Sequence, residues 1–101
     1  MTDLRLIQYF EAVYRLLSFT KAAEELHLTH SAVTRAIKTL EEAWDTPLFY
    51  RTTRSVEPTK AGERLYPRAV ELLAFSAKVM RETVSGDREF KIIGGPIAYD
   101  I

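Results

Sequence analysis

Hydrophobic positions in the first 44 residues recur at helical spacing, and neither Gly nor Pro interrupts them. Leu6, Phe10, Val13 and Leu17 stand at i, i+4, i+7 and i+11. That spacing puts them on one face of a first helix, with Asp3 as its N-cap. Ser18-Phe19-Thr20 breaks the pattern. Thr20 is predicted to cap a short second helix from Lys21 to about Leu26, with Ala22 and Ala23 on its packing side. His27-Leu28 reads as a turn, and Thr29 caps a third helix running to about Trp44.

The third helix has two unlike sides. Val33, Ala36, Ile37, Leu40 and Trp44 fall within a sector of roughly 100°, the width of a core-facing stripe. His30, Ser31, Thr34, Arg35 and Lys38 fall in the opposite sector, and no acid enters it before Glu41. Beyond it, Asp45-Thr46-Pro47 ends the helix. Leu48-Phe49-Tyr50 and Ser55-Val56-Glu57 alternate as two short strands, with Arg51-Thr52-Thr53-Arg54 as the hairpin tip. Pro58 closes the second strand, and Thr59 caps a further helix.

Residues 60–85 predict that helix to be long. Tyr66, Val70, Leu73, Ala77, Met80 and Val84 step by 4, 3, 4, 3, 4, the a/d seam of a helix that pairs with another. Packing of this seam on the first helix is the rival reading; the length favours a partner helix from a second copy. Pro67 would remove a backbone bond and bend the first turns. Ser85-Gly86-Asp87 ends the helix. Between Glu89 and Ile101, Phe90 and Ile92 alternate before Gly94-Gly95-Pro96, reading as one strand.

Composition narrows the function classes. The chain has 101 residues, enough for one domain with a single modest core. It has 14 Lys plus Arg against 14 Asp plus Glu, so an overall basic coat is excluded, and any positive field must come from sorting charges in space. With no Cys there is neither a disulfide framework nor a thiolate metal site. The apolar stretch after the acidic start is broken by Arg5, Gln8, Glu11 and Arg15, which predicts neither a secretory signal nor a membrane span. A cytoplasmic location is the expectation.

Two helices joined by a tight turn, the second with a polar outer face, form the helix-turn-helix pattern. The major groove of B-DNA admits such a helix, and its base edges offer donors and acceptors that short polar side chains can read. His30, Ser31, Thr34 and Arg35 are the candidate base readers. Lys38, one turn further on, is better placed for phosphate. Thr20 and Thr29 would present helix N-termini to the backbone, and Arg51 and Arg54 could reach an adjacent minor groove or the backbone from the hairpin tip.

Ser18 to Thr29 (SFTKAAEELHLT) resembles the helix-turn-helix of LysR-type transcriptional regulators, and Ser31 to Glu41 (SAVTRAIKTLE) is similar to their recognition helix. Pro47-Leu48-Phe49-Tyr50-Arg51 and Thr59-Lys60-Ala61-Gly62-Glu63 resemble the wing and the start of the linker helix, and the likeness covers about residues 3–93. It implies a mainly α fold: a winged helix-turn-helix over residues 1–59 and a long dimerising linker helix over 60–86. Residues 87–101 would begin an effector-binding domain. It also implies a homodimer on double-stranded DNA at an imperfect inverted repeat, with a tetramer in a longer protein. No cofactor is expected here; a small-molecule co-inducer would belong to the further domain.

Four departures from the family pattern bear on the site. His30 stands where the family usually has Gln, so a ring that offers a single donor or acceptor per edge replaces a bidentate amide. Asp45 stands where the family has Gly, and Trp44 precedes it where Leu is usual, which predicts larger packing between wing and helix. Pro58 replaces a frequent Leu and would shorten the wing strand. Two other motifs carry little. Glu24, His27 and His30 are spaced by three, but a turn separates them and no further ligand is apparent, so no metal is expected. Ser18-Phe19-Thr20-Lys21 fits the S-x-x-K pattern of acyl-transfer enzymes without any companion motif. A helical module docking a protein through the third helix is the alternative from another class; an enzyme has no nucleophile–base pair to stand on.

Overall fold

The computed structural model describes residues 3–84. Within them the order is α1 (Leu4–Leu16), α2 (Phe19–Leu26), α3 (His30–Trp44), β1 (Phe49–Arg51), β2 (Val56–Pro58) and α4 (Lys60–Val84). The helix end at Ser85-Gly86-Asp87 and the strand expected after Glu89 lie outside the described residues.

The caps explain the element boundaries. Asp3 accepts from the Arg5 N–H at 2.8 Å and starts α1. The three helices α1, α2 and α3 end on Leu17, His27 and Asp45, all in the left-handed region with φ of 49°, 59° and 52°. A left-handed residue turns the chain sharply off the helix axis, and non-glycine residues adopt it at a cost. Leu17 is therefore exposed and does not continue the core stripe of α1, contrary to the expectation from its spacing. Thr59 caps α4. Its Oγ1 accepts from the Gly62 N–H at 3.0 Å and donates to the Pro47 carbonyl at 2.8 Å, so the side chain is buried without an unmet bond.

The core is one cluster. Phe10 and Val13 of α1, Val33, Ile37 and Leu40 of α3, and Leu48 before β1 are fully buried. Burying a side chain of this kind contributes about 1.5–3 kcal/mol. Helix α1 is the hub, packing against α2, α3 and α4. Phe49 closes the cluster from the wing, 5.4 Å from Phe10 and 6.1 Å edge-on from Phe19, ring centre to ring centre.

The wing is a two-stranded antiparallel ribbon, with Phe49 opposite Pro58, Tyr50 opposite Glu57 and Arg51 opposite Val56. Both strands sit one residue further along than the alternation predicts. Pro58 is the last residue of the second strand, where a missing N–H costs little. Pro67 lies inside α4, in a helix assigned without a break from Lys60 to Val84. Trp44 is 41% exposed.

Candidate nucleic-acid interface

The local sequence sets where α3 begins. Helix α2 starts earlier than predicted, because Ser18, not Thr20, is its N-cap: Ser18 Oγ accepts from the Lys21 N–H at 3.0 Å. Thr20 is exposed in the first turn of α2, beside the N-terminus rather than capping it. The chain leaves α2 at His27, whose N–H bonds to the Ala23 and Glu24 carbonyls. Thr29 then caps α3 as expected, accepting from the Ala32 N–H at 3.1 Å. Two short capped ends therefore set the turn between α2 and α3.

On α3 the two sides sort as the sequence predicts. Val33, Ala36, Ile37 and Leu40 are buried. His30, Ser31, Arg35 and Lys38 are exposed, and Thr34 is half-buried between them. The Ser31 and Thr29 hydroxyls are 3.4 Å apart, and Thr34 Oγ1 lies 3.5 Å from His30 Nδ1. The His30 ring also rests 6.1 Å from the Phe19 ring. The face thus offers an imidazole with one edge toward Thr34 and two cations about a turn apart.

Arg51 and Arg54 do not share a tip. Arg51 belongs to β1, and the turn itself is Thr52–Ser55. The Thr52 N–H donates to the Ser55 carbonyl at 2.9 Å, and Thr52 Oγ1 accepts from the N–H groups of Arg54 and Ser55. This side-chain turn presents Arg54 outward. The Arg51 guanidinium sits 5.0 Å over the Phe19 ring and donates to Glu41 Oε1 at 3.2 Å. Glu41 Oε2 accepts from the Leu48 N–H at 2.7 Å and the Phe49 N–H at 3.2 Å. One carboxylate therefore ties α3 to the root of the wing.

These pieces enclose a cleft of about 360 Å³, lined by Thr20 from α2, His30 and Thr34 from α3, and Arg51 and Arg54 from the wing. Charge is sorted around it. Glu25, on the far side of α2, is paired with Arg15 of α1, which holds its carboxyl below the usual range. Glu41 is turned inward to backbone N–H groups. Among the described residues no group of three His, Asp or Glu is arranged to hold a metal ion.

The seam of α4 divides. Tyr66 stacks on Tyr14 at 4.1 Å with rings 14° apart, and its hydroxyl donates to Glu11 at 3.4 Å. Partial burial, first, and the Glu11 carboxylate push its phenol above the usual value. Leu73 packs on the core cluster. These two follow the rival reading, packing on α1. Val70, Ala77, Met80 and Val84 are exposed, Met80 by 63%. A second exposed apolar flank, Leu72, Phe75 and Val79, lies on the other side of the α1-facing stripe. The 4-3 stepping did not single it out.

Three features that organise the site were not read from the sequence. Ser18 was masked by Thr20, an equally good capping residue two positions on. Thr52-x-x-Ser55 is a recognisable side-chain turn signal. Nothing in the sequence marks Glu41 as a partner of residues seven to ten positions away. No helix among the described residues is long and apolar enough to cross a membrane.

Known proteins share this arrangement. Residues 4–63 match the family described as bacterial regulatory helix-turn-helix protein, lysR family. The HTH-type transcriptional regulator BudR of Klebsiella aerogenes is 47% identical over 74 residues, 73% of this chain and 52% of that protein. The HTH-type transcriptional activator AmpR of Yersinia enterocolitica is 41% identical over 86 residues, 77% of this chain and 29% of that one. The chain thus spans about half the length of the first of these relatives and less of the second. Among solved structures, a BenM_DBD/benA site 1 DNA complex superposes with a TM-score of 0.78 at 35% identity, covering 81% of this chain and 92% of that one. A CbnR_DBD–DNA complex superposes with a TM-score of 0.81 at 26% identity, covering 86% of this chain and all of that one. With the helix-turn-helix, the wing and the long C-terminal helix all in place, the chain belongs to the lysR family of bacterial regulatory helix-turn-helix proteins, and is a regulatory domain rather than an enzyme.

Proposed function

We propose that this domain binds double-stranded DNA as a homodimer at an imperfect inverted repeat and thereby regulates transcription. His30, Ser31, Thr34 and Arg35 read base edges in the major groove. Thr20, Thr29, Lys38, Arg51 and Arg54 hold the sugar-phosphate backbone. Val70, Ala77, Met80 and Val84, with the edges of Tyr66 and Leu73, meet the second copy along α4. In this reading residues 1–59 are the DNA-binding domain, 60–86 the linker, and 87–101 the start of an effector-binding domain that takes a small-molecule co-inducer. The working compartment is the cytoplasm, and a tetramer is the expected state of a longer protein.

One observation carries the reading: the outer face of α3 from His30 to Lys38 is open to solvent and stands beside the Arg51 and Arg54 wing, while its other face is core. BenM and CbnR domains of the same fold, solved in complex with DNA, support DNA binding by this domain.

Selection of bound sequences from a random duplex pool, followed by fluorescence-anisotropy titration, tests it. Half-sites one duplex turn apart, or a multiple of it, are expected. Arg35→Ala should lose about 1–3 kcal/mol on the selected duplex and relax base preference, whereas Lys38→Ala should weaken all duplexes alike. Equal affinity of Arg35→Ala and the parent for the selected duplex would defeat the assignment.

A further inference from the structure

Glu41 is an acid on the helix that faces DNA in the proposed reading, and its charge alone opposes a phosphate backbone. Yet its carboxylate is turned in, with 11% of the side chain exposed, and both oxygens are in use. Oε2 takes the consecutive N–H groups of Leu48 and Phe49, and Oε1 takes Arg51 Nη2. Arg51 is gripped from the other side by the face of the Phe19 ring. A free arginine samples many rotamers and loses about 2 kcal/mol of rotamer entropy when it is fixed. Here three elements fix it before any ligand arrives: β1 carries it, α2 supplies the ring and α3 supplies the carboxylate.

We infer that Glu41 is a positioning residue for DNA binding: it aims the Arg51 guanidinium from the wing toward the backbone. The inference rests on the proposed DNA contact of Arg51. One NH2 group of the fork is held by Glu41, and the side chain stays 36% exposed, which leaves donors of the fork available to a ligand. The same carboxylate fixes the wing root through Leu48 and Phe49, so the strand that carries Arg51 and the group that orients it share one anchor.

The two oxygens make the test clean. In Glu41→Gln the amide oxygen can keep the Leu48 and Phe49 N–H groups, while the amide NH2 would face the guanidinium and cannot accept from it. The variant therefore loses the Arg51 bond and keeps the wing root. The measurement is anisotropy titration of a fluorescein-labelled duplex taken from the selected pool, repeated across salt concentrations, with thermal melting of each variant. Arg51→Gln should make the slope of log K against log salt shallower by about 0.9, the value of one phosphate contact. Glu41→Gln should make it shallower by a similar amount, with its melting temperature close to the parent's. The double variant should lose no more than Arg51→Gln alone, because both remove the same contact.

A simple charge effect predicts the reverse. Removing an acid beside DNA would tighten binding of Glu41→Gln and leave the slope unchanged, and that result overturns the inference. An unchanged slope for Arg51→Gln would remove the Arg51 contact itself, and the inference with it. A shallower slope for Arg51→Gln with parental behaviour of Glu41→Gln would remove the positioning role alone. If the fold of Glu41→Gln weakened, the double-variant cycle would still decide, since additive losses would mean that Glu41 does not act through Arg51.

Discussion

Gly62 is where the long helix meets the wing, and replacing it by Ala should destabilise the domain. A Cβ built on Gly62 falls inside van der Waals contact of the Leu48 carbonyl oxygen, with the Leu48 carbonyl carbon at 3.4 Å and Pro58 Cβ at 3.5 Å. The obstacle is backbone, and it is pinned: the same carbonyl accepts from the Thr59 N–H at 3.0 Å. Overpacking of a tight contact costs about 1–3 kcal/mol, and a clash with a pinned carbonyl belongs at the upper end. Ala regains about 0.5–1 kcal/mol over Gly in a helix, and less in the first turn, where Gly62 sits. The net loss is about 2 kcal/mol. For a domain of this size each kcal/mol moves the melting temperature by about 4–8 °C, so Gly62→Ala should melt about 8–16 °C below the parent by far-UV circular dichroism. An equal or higher melting temperature would mean that α4 can slide away from the wing root at little cost, and the close approach would not be what holds the two together.

Asp45→Gly should stabilise by about 0.5–1 kcal/mol, seen as a higher melting temperature: relief of a left-handed Asp and of an acid at the C-terminus of α3 outweighs the added chain entropy of Gly. Met80→Glu, on the exposed flank of α4, should give a monomer by sedimentation velocity with an unchanged far-UV spectrum; a persisting dimer would place the interface elsewhere. Arg15 holds the folded-state pKa of Glu25 below its unfolded value of 4.5, so the pair's contribution is present above that value and disappears as pH falls through the lowered one. Glu25→Gln should therefore show a shallower loss of melting temperature on acidification. Tyr66 has its folded-state pKa raised above 10.0, so its contribution is complete below that value and goes as pH climbs through the raised one. Tyr66→Phe should remove that alkaline step from a melting series.

Helices α1 and α3 were readable because their apolar positions follow one period over many residues, and tertiary packing agreed with that period; the shorter α2 was legible from its small apolar pair, Ala22 and Ala23, both of which are buried. Leu17 shows the limit of the rule. It fits the stripe of α1, yet the helix has to stop there for α2 to begin, so its backbone turns left-handed and its side chain faces solvent. The polar face of α3 was readable for the same reason as the core face. The wing was placed one residue early on both strands, since three-residue strands offer too few alternations to set a register and Thr59 capping sets it from outside. Glu41 reads as an ordinary surface acid at the end of a helix. Its role depends on Leu48, Phe49 and Arg51 arriving beside it, and no local pattern encodes that meeting. The α4 seam mixed two jobs: a 4-3 step selects apolar positions without saying whether the neighbour is α1 or another molecule.

From Tyr66 the rings pass to Tyr14, Phe49, Phe19 and His30, with neighbouring centres between 4.1 and 6.5 Å apart. A continuous run of ring contacts thus links α4 to the start of α3. Helix α4, with 25 residues, is about 37 Å long, so tilting the rod by about 10° would displace one end relative to the other by about 6 Å, close to two base-pair steps. In the proposed dimer, the spacing between the two α3 faces therefore follows from the angle at which the two copies of α4 cross.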